Sequence, residues 1–254
     1  MTLNATSGLP PLIAHRGNAA EYPENTLEAL QSAVDLGLRH VEFDVQLTAD
    51  AVPVVLHDSD LQRVAGRADC VHDVTWSTLA DVPIKEAERF GDRYADVRVP
   101  TLARVVEALQ HWRDITGFVE VKRASVRRFG REAVLERIAA DVAPALPHCV
   151  LISFDLPSVR LLRAMTGARV GWVIEQYDEP TRQLAAQASP DYLFANLERI
   201  PEATAELWSG SWQWAIYEIR DAATARHCAR LGAHLVETMN VREMLDAYAR
   251  TSVP

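Results

Sequence analysis

His40-Val-Glu42-Phe-Asp44-Val-Gln-Leu-Thr48-Ala-Asp50-Ala-Val-Pro53-Val-Val-Leu-His57-Asp58 holds two apolar, β-branched runs, 40–46 and 53–57, and the short distance between them decides the fold. A crossover between parallel strands takes roughly a dozen residues or more, whereas a hairpin needs only a few. The link from Val45 to Val54 is too short for a crossover, so the second run is an antiparallel return of the first. Thr48-Ala-Asp50-Ala makes the turn, and His57 comes back near the rim where Glu42 and Asp44 sit.

Outward from this ribbon, similar runs recur at 12–16, 117–122, 149–154, 168–174, 191–196, 213–219 and 234–238. Helical patterns fall between them at Asn25–Leu36, Leu102–Arg113, Glu132–Val142, Ser158–Met165, Thr181–Ala188 and Ala222–Leu231. Alternating strand and helix predicts a parallel sheet. With 53–57 set aside as the return strand, eight parallel strands remain, the number of an α/β fold of the (β/α)8 or TIM-barrel type. At 254 residues the chain suits one such domain, 1–254, with a modest insertion at 59–98. That segment fits no βα unit: it is polar, carries both signs of charge and is interrupted by Gly66, Pro83 and Gly91.

Such barrels carry their reactive side chains at the C-terminal ends of the strands. Pro11-Leu-Ile-Ala-His15-Arg16-Gly17 ends in a histidine and an arginine, the return strand ends in His57-Asp58, and Gly117-Phe-Val-Glu120-Val-Lys122 ends in a carboxylate and an amine. Side chains alternate along a strand, so Glu42 and Asp44 share a face, as do Glu120 and Lys122. Buried side by side, carboxylates repel and lose hydration. One hard divalent cation, Mg²⁺ or Ca²⁺, offsets both penalties. Taken singly, each cluster has an ordinary reading, as a rim histidine or the solvent face of an edge strand. Their recurrence with the same polarity points to a site.

Charge excludes some partners. With 26 Lys and Arg against 35 Asp and Glu, the net charge of −9 disfavours nucleic acid and anionic membrane surfaces. Cys70, Cys149 and Cys228 are far apart and odd in number, giving neither a disulfide framework nor a metal-ligand spacing. Met1-Thr-Leu-Asn-Ala-Thr-Ser-Gly8 lacks the basic and apolar regions of a signal peptide, and no apolar run is long enough to span a bilayer. These features lead us to expect a cytoplasmic protein with no stable membrane anchor. They leave the oligomeric state open.

His15-Arg16-Gly17, Pro23-Glu24-Asn25-Thr26, Val41-Glu42-Phe-Asp44-Val-Gln-Leu-Thr48, Val54-Val-Leu-His57-Asp58, Val99-Pro-Thr-Leu102, Val119-Glu120-Val-Lys122 and Ile152-Ser153-Phe154 form an ordered series. It resembles the motif series of the glycerophosphodiester phosphodiesterase family, collinear from about residue 12 to 165. The resemblance implies metal-dependent hydrolysis of glycerophosphodiesters to sn-glycerol 3-phosphate and an alcohol. Glu42, Asp44 and Glu120 would then hold one divalent cation, and Arg16 and Lys122 would clamp the phosphate, Arg16 with a fork matched to its oxygens. His15 and His57 would serve as general acid and base, in an order the sequence leaves open. The substrate's own glycerol hydroxyl would be the first nucleophile. Glu24 and Asn25 would support the site, whereas Thr26 caps the helix that follows, with Glu28 in its first turn. Ser153 and Phe154 would line the substrate cavity, and 59–98 would cap the mouth, packed through Trp76, Leu79, Phe90 and Tyr94. The remaining histidines, His40, His72, His111, His148, His227 and His234, have no comparable company and read as structural or surface groups.

The last third departs from the family. Tyr217-Glu218-Ile219-Arg220 stands where a Trp-Thr-Val-Asn run is usual, and Glu237-Thr238 where Thr-Asp is usual. Alternation admits two arrangements of Glu218 and Glu237. Facing the mouth, they would favour a cationic or polyhydroxylated alcohol, with Tyr217 and Trp172 as aromatic walls. Facing outward, they would pair with Arg220 or Arg242. Two further functions remain open: a related phosphodiesterase acting on lysophospholipids or another diester, and a barrel that binds a phosphorylated ligand without turning it over.

Overall fold

The computed structural model describes residues 8–251. The Met1–Ser7 stretch used in judging the signal peptide lies outside them. Among the described residues, eight parallel strands close into a barrel: β1 (Leu12–Ala14), β2 (His40–Leu47), β4 (Thr116–Val121), β5 (Cys149–Ser153), β6 (Arg169–Ile174), β7 (Tyr192–Asn196), β8 (Gln213–Tyr217) and β9 (Leu235–Thr238). Neighbours follow chain order, and β1 completes the ring by pairing with both β9 and β2. The ninth strand, β3 (Pro53–Val55), is the expected antiparallel return, with Val45 opposite Val55 and Leu47 opposite Pro53. Its turn is held by Thr48, whose hydroxyl donates to Asp50 at 2.6 Å and accepts from the Val52 amide at 3.0 Å. The Leu56 amide donates to the Asp44 carbonyl at 2.9 Å, which fixes His57 beside the end of β2.

Alternation along the strands separates two cores. Ile13, Phe118, Val150, Val173, Phe194, Ala215 and Leu235 fill the interior, where the Phe118 ring meets Tyr192 edge-on at 5.1 Å and Phe194 at 5.3 Å. Ala14, Val41, Phe43, Val119, Val121 and Leu151 point outward into a second core shared with the helices. Burial of apolar area at roughly 25 cal/mol per Å² drives both layers, and the inner one closes the barrel floor beneath its polar mouth.

Six helices fall where periodicity placed them, at Leu27–Asp35, Leu102–His111, Arg131–Val142, Leu156–Thr166, Glu179–Ala188 and Ala222–Leu231. Two of these start two residues earlier than expected, because Asp155 and Asp178 accept hydrogen bonds from the first-turn amides and each is followed by a proline in that turn. Proline lacks only an amide that would have no helical partner there. The helices Arg123–Phe129 and Val241–Thr251 were not anticipated.

Segment 59–98 folds around its own apolar cluster, in which Leu61, Val64, Val71, Leu79, Val82 and Ile84 are buried. The short helices Gln62–Ala65, Trp76–Leu79 and Ala87–Phe90 surround it. Leu79 is central and Trp76 packs on the cluster, while Phe90 meets Tyr94 edge-on at 5.2 Å and the Tyr94 hydroxyl donates to the Glu21 carbonyl at 2.5 Å. The segment is thereby fastened to the loop that follows β1.

Candidate active site

The strand ends converge on one cavity of about 210 Å³, whose polar lining includes His15, Arg16, Glu42, His57, Glu120 and Lys122. The turn after β1 sets the first two. Arg16 (φ 58°) and Gly17 (φ 81°) both take left-handed backbone conformations. A Cβ at Gly17 would lie 2.6 Å from the Ala29 carbonyl carbon, so only glycine lets this turn pack against the helix Leu27–Asp35. The Arg16 amide donates to Glu42 at 3.1 Å, and the His15 amide donates to the Thr238 carbonyl of β9 at 2.9 Å.

Asp44 sits opposite Glu120 in the β2–β4 register, which brings the third carboxylate to the first two. Lys122 reaches Asp44 at 3.1 Å and Glu120 at 2.8 Å. Arg16 reaches Asp44 at 3.3 Å and donates to Glu24 at 3.0 Å. Asn25 (φ 58°) is locked to Asp44 by two bonds, its amide donating at 2.8 Å and its carbonyl accepting from the Asp44 amide at 3.0 Å. Thr26 caps the helix, accepting from the Ala29 amide at 3.2 Å. His57 Nδ1 lies 2.7 Å from Asp58, which in turn accepts from Arg63 at 2.8 Å.

Ile152, Phe154, Val173, Phe194 and Tyr217 line the opposite wall. Ser153 does not: fully buried, it donates to the Val121 carbonyl at 2.8 Å and accepts from the Asp155 amide, because strand alternation turns it away from Phe154. Trp172 is likewise no aromatic wall, since it faces the outer core with its indole donating to the Phe154 carbonyl at 3.3 Å. Glu237 faces inward and is buried, while Arg242 pairs with Glu21 at 2.6 Å instead. Glu218 (φ 66°) lines the cavity rim and also lies 3.7 Å from Arg220, which combines the two arrangements. Arg63 was not singled out from sequence. Charged residues in a polar insertion look like solvated surface.

Electrostatics mark the centre. Burial, reinforced by neighbouring carboxylates, pushes Glu42 and Glu237 well above the usual carboxylate range. Burial also raises Glu120, with Lys122 partly offsetting it. For Asp44 burial acts the same way but is overcome by Lys122 and Arg16, so its carboxyl stays well below that range. Burial and then the Arg16 charge lower His15 to about 3. This is a centre short of positive charge. Oxygens of Glu42, Asp44 and Glu120 lie within 4.8 Å of one another, and so do ligand atoms of His15, Glu42 and Glu237. Glu42 Oε1 is buried without a hydrogen-bond partner. An oxygen set of this span, with an unpartnered carboxylate oxygen, fits a hard divalent cation.

A parallel barrel whose mouth joins a carboxylate cluster, two histidines and two cationic side chains defines an α/β-barrel protein with an acidic, metal-ready centre. More narrowly, the chain belongs to the glycerophosphoryl diester phosphodiesterase family, whose sequence profile matches residues 15–233. It is 36% identical over 159 residues to glycerophosphodiester phosphodiesterase 1 of Mus musculus, covering 62% of this chain and 46% of that protein. It is 37% identical over 126 residues to a glycerophosphodiester phosphodiesterase of Caldanaerobacter subterraneus subsp. tengcongensis, covering 49% of this chain and 50% of that one. The matched stretches thus span about half the length of these curated relatives. Among solved structures, the glycerophosphodiester phosphodiesterase of Thermotoga maritima superposes with a TM-score of 0.71 at 25% identity, covering 93% of this chain and 97% of that one. A phosphodiesterase of Oleispira antarctica in complex with the product sn-glycerol-3-phosphate superposes with a TM-score of 0.82 at 20% identity, covering 96% and 98%.

Proposed function

We propose that this chain hydrolyses glycerophosphodiesters to sn-glycerol 3-phosphate and an alcohol. The observation that carries the reading is the convergence of Glu42, Glu120, Arg16, Lys122, His15 and His57 on one cavity, with Asp44 buried level with Glu120 against Arg16 and Lys122. Glu42, Asp44 and Glu120 would hold one divalent cation, Mg²⁺ or Ca²⁺, which when bound would neutralise phosphate charge. Arg16 and Lys122 bind the non-bridging oxygens, and Glu24 and Asn25 keep Arg16 and Asp44 in place. Of His15 and His57, one takes the proton from the attacking hydroxyl, in the family's pattern the substrate's own glycerol hydroxyl, as its oxygen bonds to phosphorus. The other protonates the departing alkoxide as the old P–O bond breaks, leaving a cyclic glycerol phosphate; water then opens that ring, the two histidines exchanging roles, to give sn-glycerol 3-phosphate. Phe154 shapes the alcohol side of the cavity. Among the described residues no helix is long and apolar enough to cross a membrane. The free cysteines support placing the protein in the cytoplasm.

The test is hydrolysis of a panel of glycerophosphodiesters bearing choline, ethanolamine, glycerol and inositol, with chelator and with metal restored. Release of glycerol phosphate that chelation abolishes and Mg²⁺ or Ca²⁺ restores is expected. Phosphate-ester binding with no turnover under any metal would overturn the reading.

A further inference from the structure

Arg63 lies in the segment 59–98, on the helix Gln62–Ala65, outside the strand ends that carry the candidate site residues. Its guanidinium nevertheless stands between two of them. One edge meets Asp58 Oδ2, with Nε at 2.8 Å and an amino nitrogen at 2.7 Å. The other meets both oxygens of Glu24, at 2.7 and 2.8 Å. Asp58 then accepts from His57 Nδ1 at 2.7 Å, and Glu24 accepts from Arg16 at 3.0 Å. Glu24 is also held from behind, its amide donating to Glu86 at 2.6 Å. A fork of this shape suits two planar carboxylates at once, which an ammonium cannot match.

We propose that Arg63 is a positioning residue that aligns His57, through Asp58, with Arg16, through Glu24. The inference rests on the reading of His57 as an acid or base given above. An ordinary surface ion pair contributes little and has no preferred direction. Here Glu24 is buried and needs its cations, and Asp58 accepts the Nδ1 proton of His57, so Nε2 is the nitrogen left for the cavity. A carboxylate that fixes the tautomer and orientation of an imidazole in this way supports its proton transfer without touching substrate. Segment 59–98 therefore supplies part of the alignment as well as covering surface. Removing Arg63 frees Asp58 to rotate away from His57 and leaves Arg16 as the only side-chain cation on Glu24 among the described residues.

The variants are Arg63→Gln, Arg63→Lys and Asp58→Asn in the full chain, assayed with metal present. A lost supporting partner typically costs 10–100-fold. Arg63→Gln and Asp58→Asn should each lower kcat by about that factor with KM changed less than about threefold, while Arg63→Lys, which keeps the charge but not the fork, should recover only part of the loss. If His57 is the acid, the loss should shrink for a diester with a nitrophenol leaving group. If it is the base, the loss should persist with that substrate. ¹⁵N NMR of the imidazoles supplies a readout independent of turnover: His57 should be protonated on Nδ1 in the parent protein and mixed in Asp58→Asn. A kcat within twofold of the parent in Arg63→Gln, or an unchanged His57 tautomer in Asp58→Asn, overturns the proposal. So does a loss in all three variants that follows a drop in melting temperature. A parent protein that hydrolyses no glycerophosphodiester yet shows the Nδ1 tautomer overturns the proposed function while leaving the alignment standing.

Discussion

From β1 through β4 the cavity is lined by His15, Arg16, Glu42, His57, Glu120 and Lys122, whereas from β5 through β7 it is lined by Ile152, Phe154, Val173 and Phe194. The charged arc is self-consistent only as a group, since each buried carboxylate leans on a cation or on a missing one. The apolar arc keeps water away from that group, and a lower local dielectric strengthens every charge interaction within it. Chemistry and shape are thus divided between the two sides of one ring. Glu237 on β9 and Glu218 just after β8 interrupt the division, placing acids where the wall would otherwise be neutral.

The largest effect should come from the charged arc. Glu42→Gln removes a carboxylate shared by both candidate ligand groups and should abolish measurable turnover, with loss of Ca²⁺ binding by calorimetry and retention of the circular dichroism spectrum. Parental turnover after chelation and metal replacement would move the centre elsewhere. His15→Ala and His57→Ala should each lower kcat by at least about 100-fold, the scale of a lost general acid or base. A nitrophenol leaving group should rescue whichever variant lacks the acid, and small equal losses in both would reduce the histidines to binding groups.

The apolar arc should respond differently. Phe154→Ala should raise KM by up to about tenfold with kcat nearly intact, because on the proposed reading its wall would touch leaving alcohol and product alike. A kcat loss matching the histidine variants would erase the distinction between the arcs. Glu237→Gln and Glu218→Gln should change relative kcat/KM among choline, ethanolamine, glycerol and inositol diesters, Glu237→Gln the more, since Glu218 is half-exposed beside Arg220. An unchanged ranking in both variants removes their role in selection.

A smaller effect links ion and proton. Glu42 and Glu237 have raised folded-state pKa values, so in the ion-free protein they stabilise the fold below the ordinary glutamate range and lose that contribution as pH rises through the folded values. A bound cation must displace those protons. The rise in melting temperature on adding Ca²⁺ should therefore be greater at pH 8 than at pH 6, and an equal rise at both would separate the ion from these carboxylates.

Most of the charged arc was legible in the sequence because each strand announces itself by alternation and ends in ionisable groups, as at Glu42-Phe-Asp44 and Glu120-Val-Lys122. The ribbon was legible from the shortness of the link between Val45 and Val54. The far arc was harder to read. Phe154 followed from the motif series, but Ser153, one residue away, turns to the backbone of β4, and Trp172 turns to the outer core. A one-residue difference in register reverses such assignments. Glu237 could be placed inward only once the β1–β9 register was known. Arg63 escaped because its partners, Asp58 and Glu24, are brought together by the packing of segment 59–98 on the loop after β1.

The ribbon formed by β2 and β3 has an implication for redesign. Asp44 and His57 are delivered by one covalent piece and joined at its base by the bond from the Leu56 amide to the Asp44 carbonyl. On the proposed reading, a cation ligand and an imidazole that cooperate would thus travel as a cassette, transferable to another eight-stranded ring by grafting 40–58 with its Thr48 clasp intact. The same economy is a point of fragility. Deleting a single residue between Thr48 and Val52 would shift one strand against the other and turn the imidazole toward the opposite face, disarming the catalyst without removing any of its functional groups.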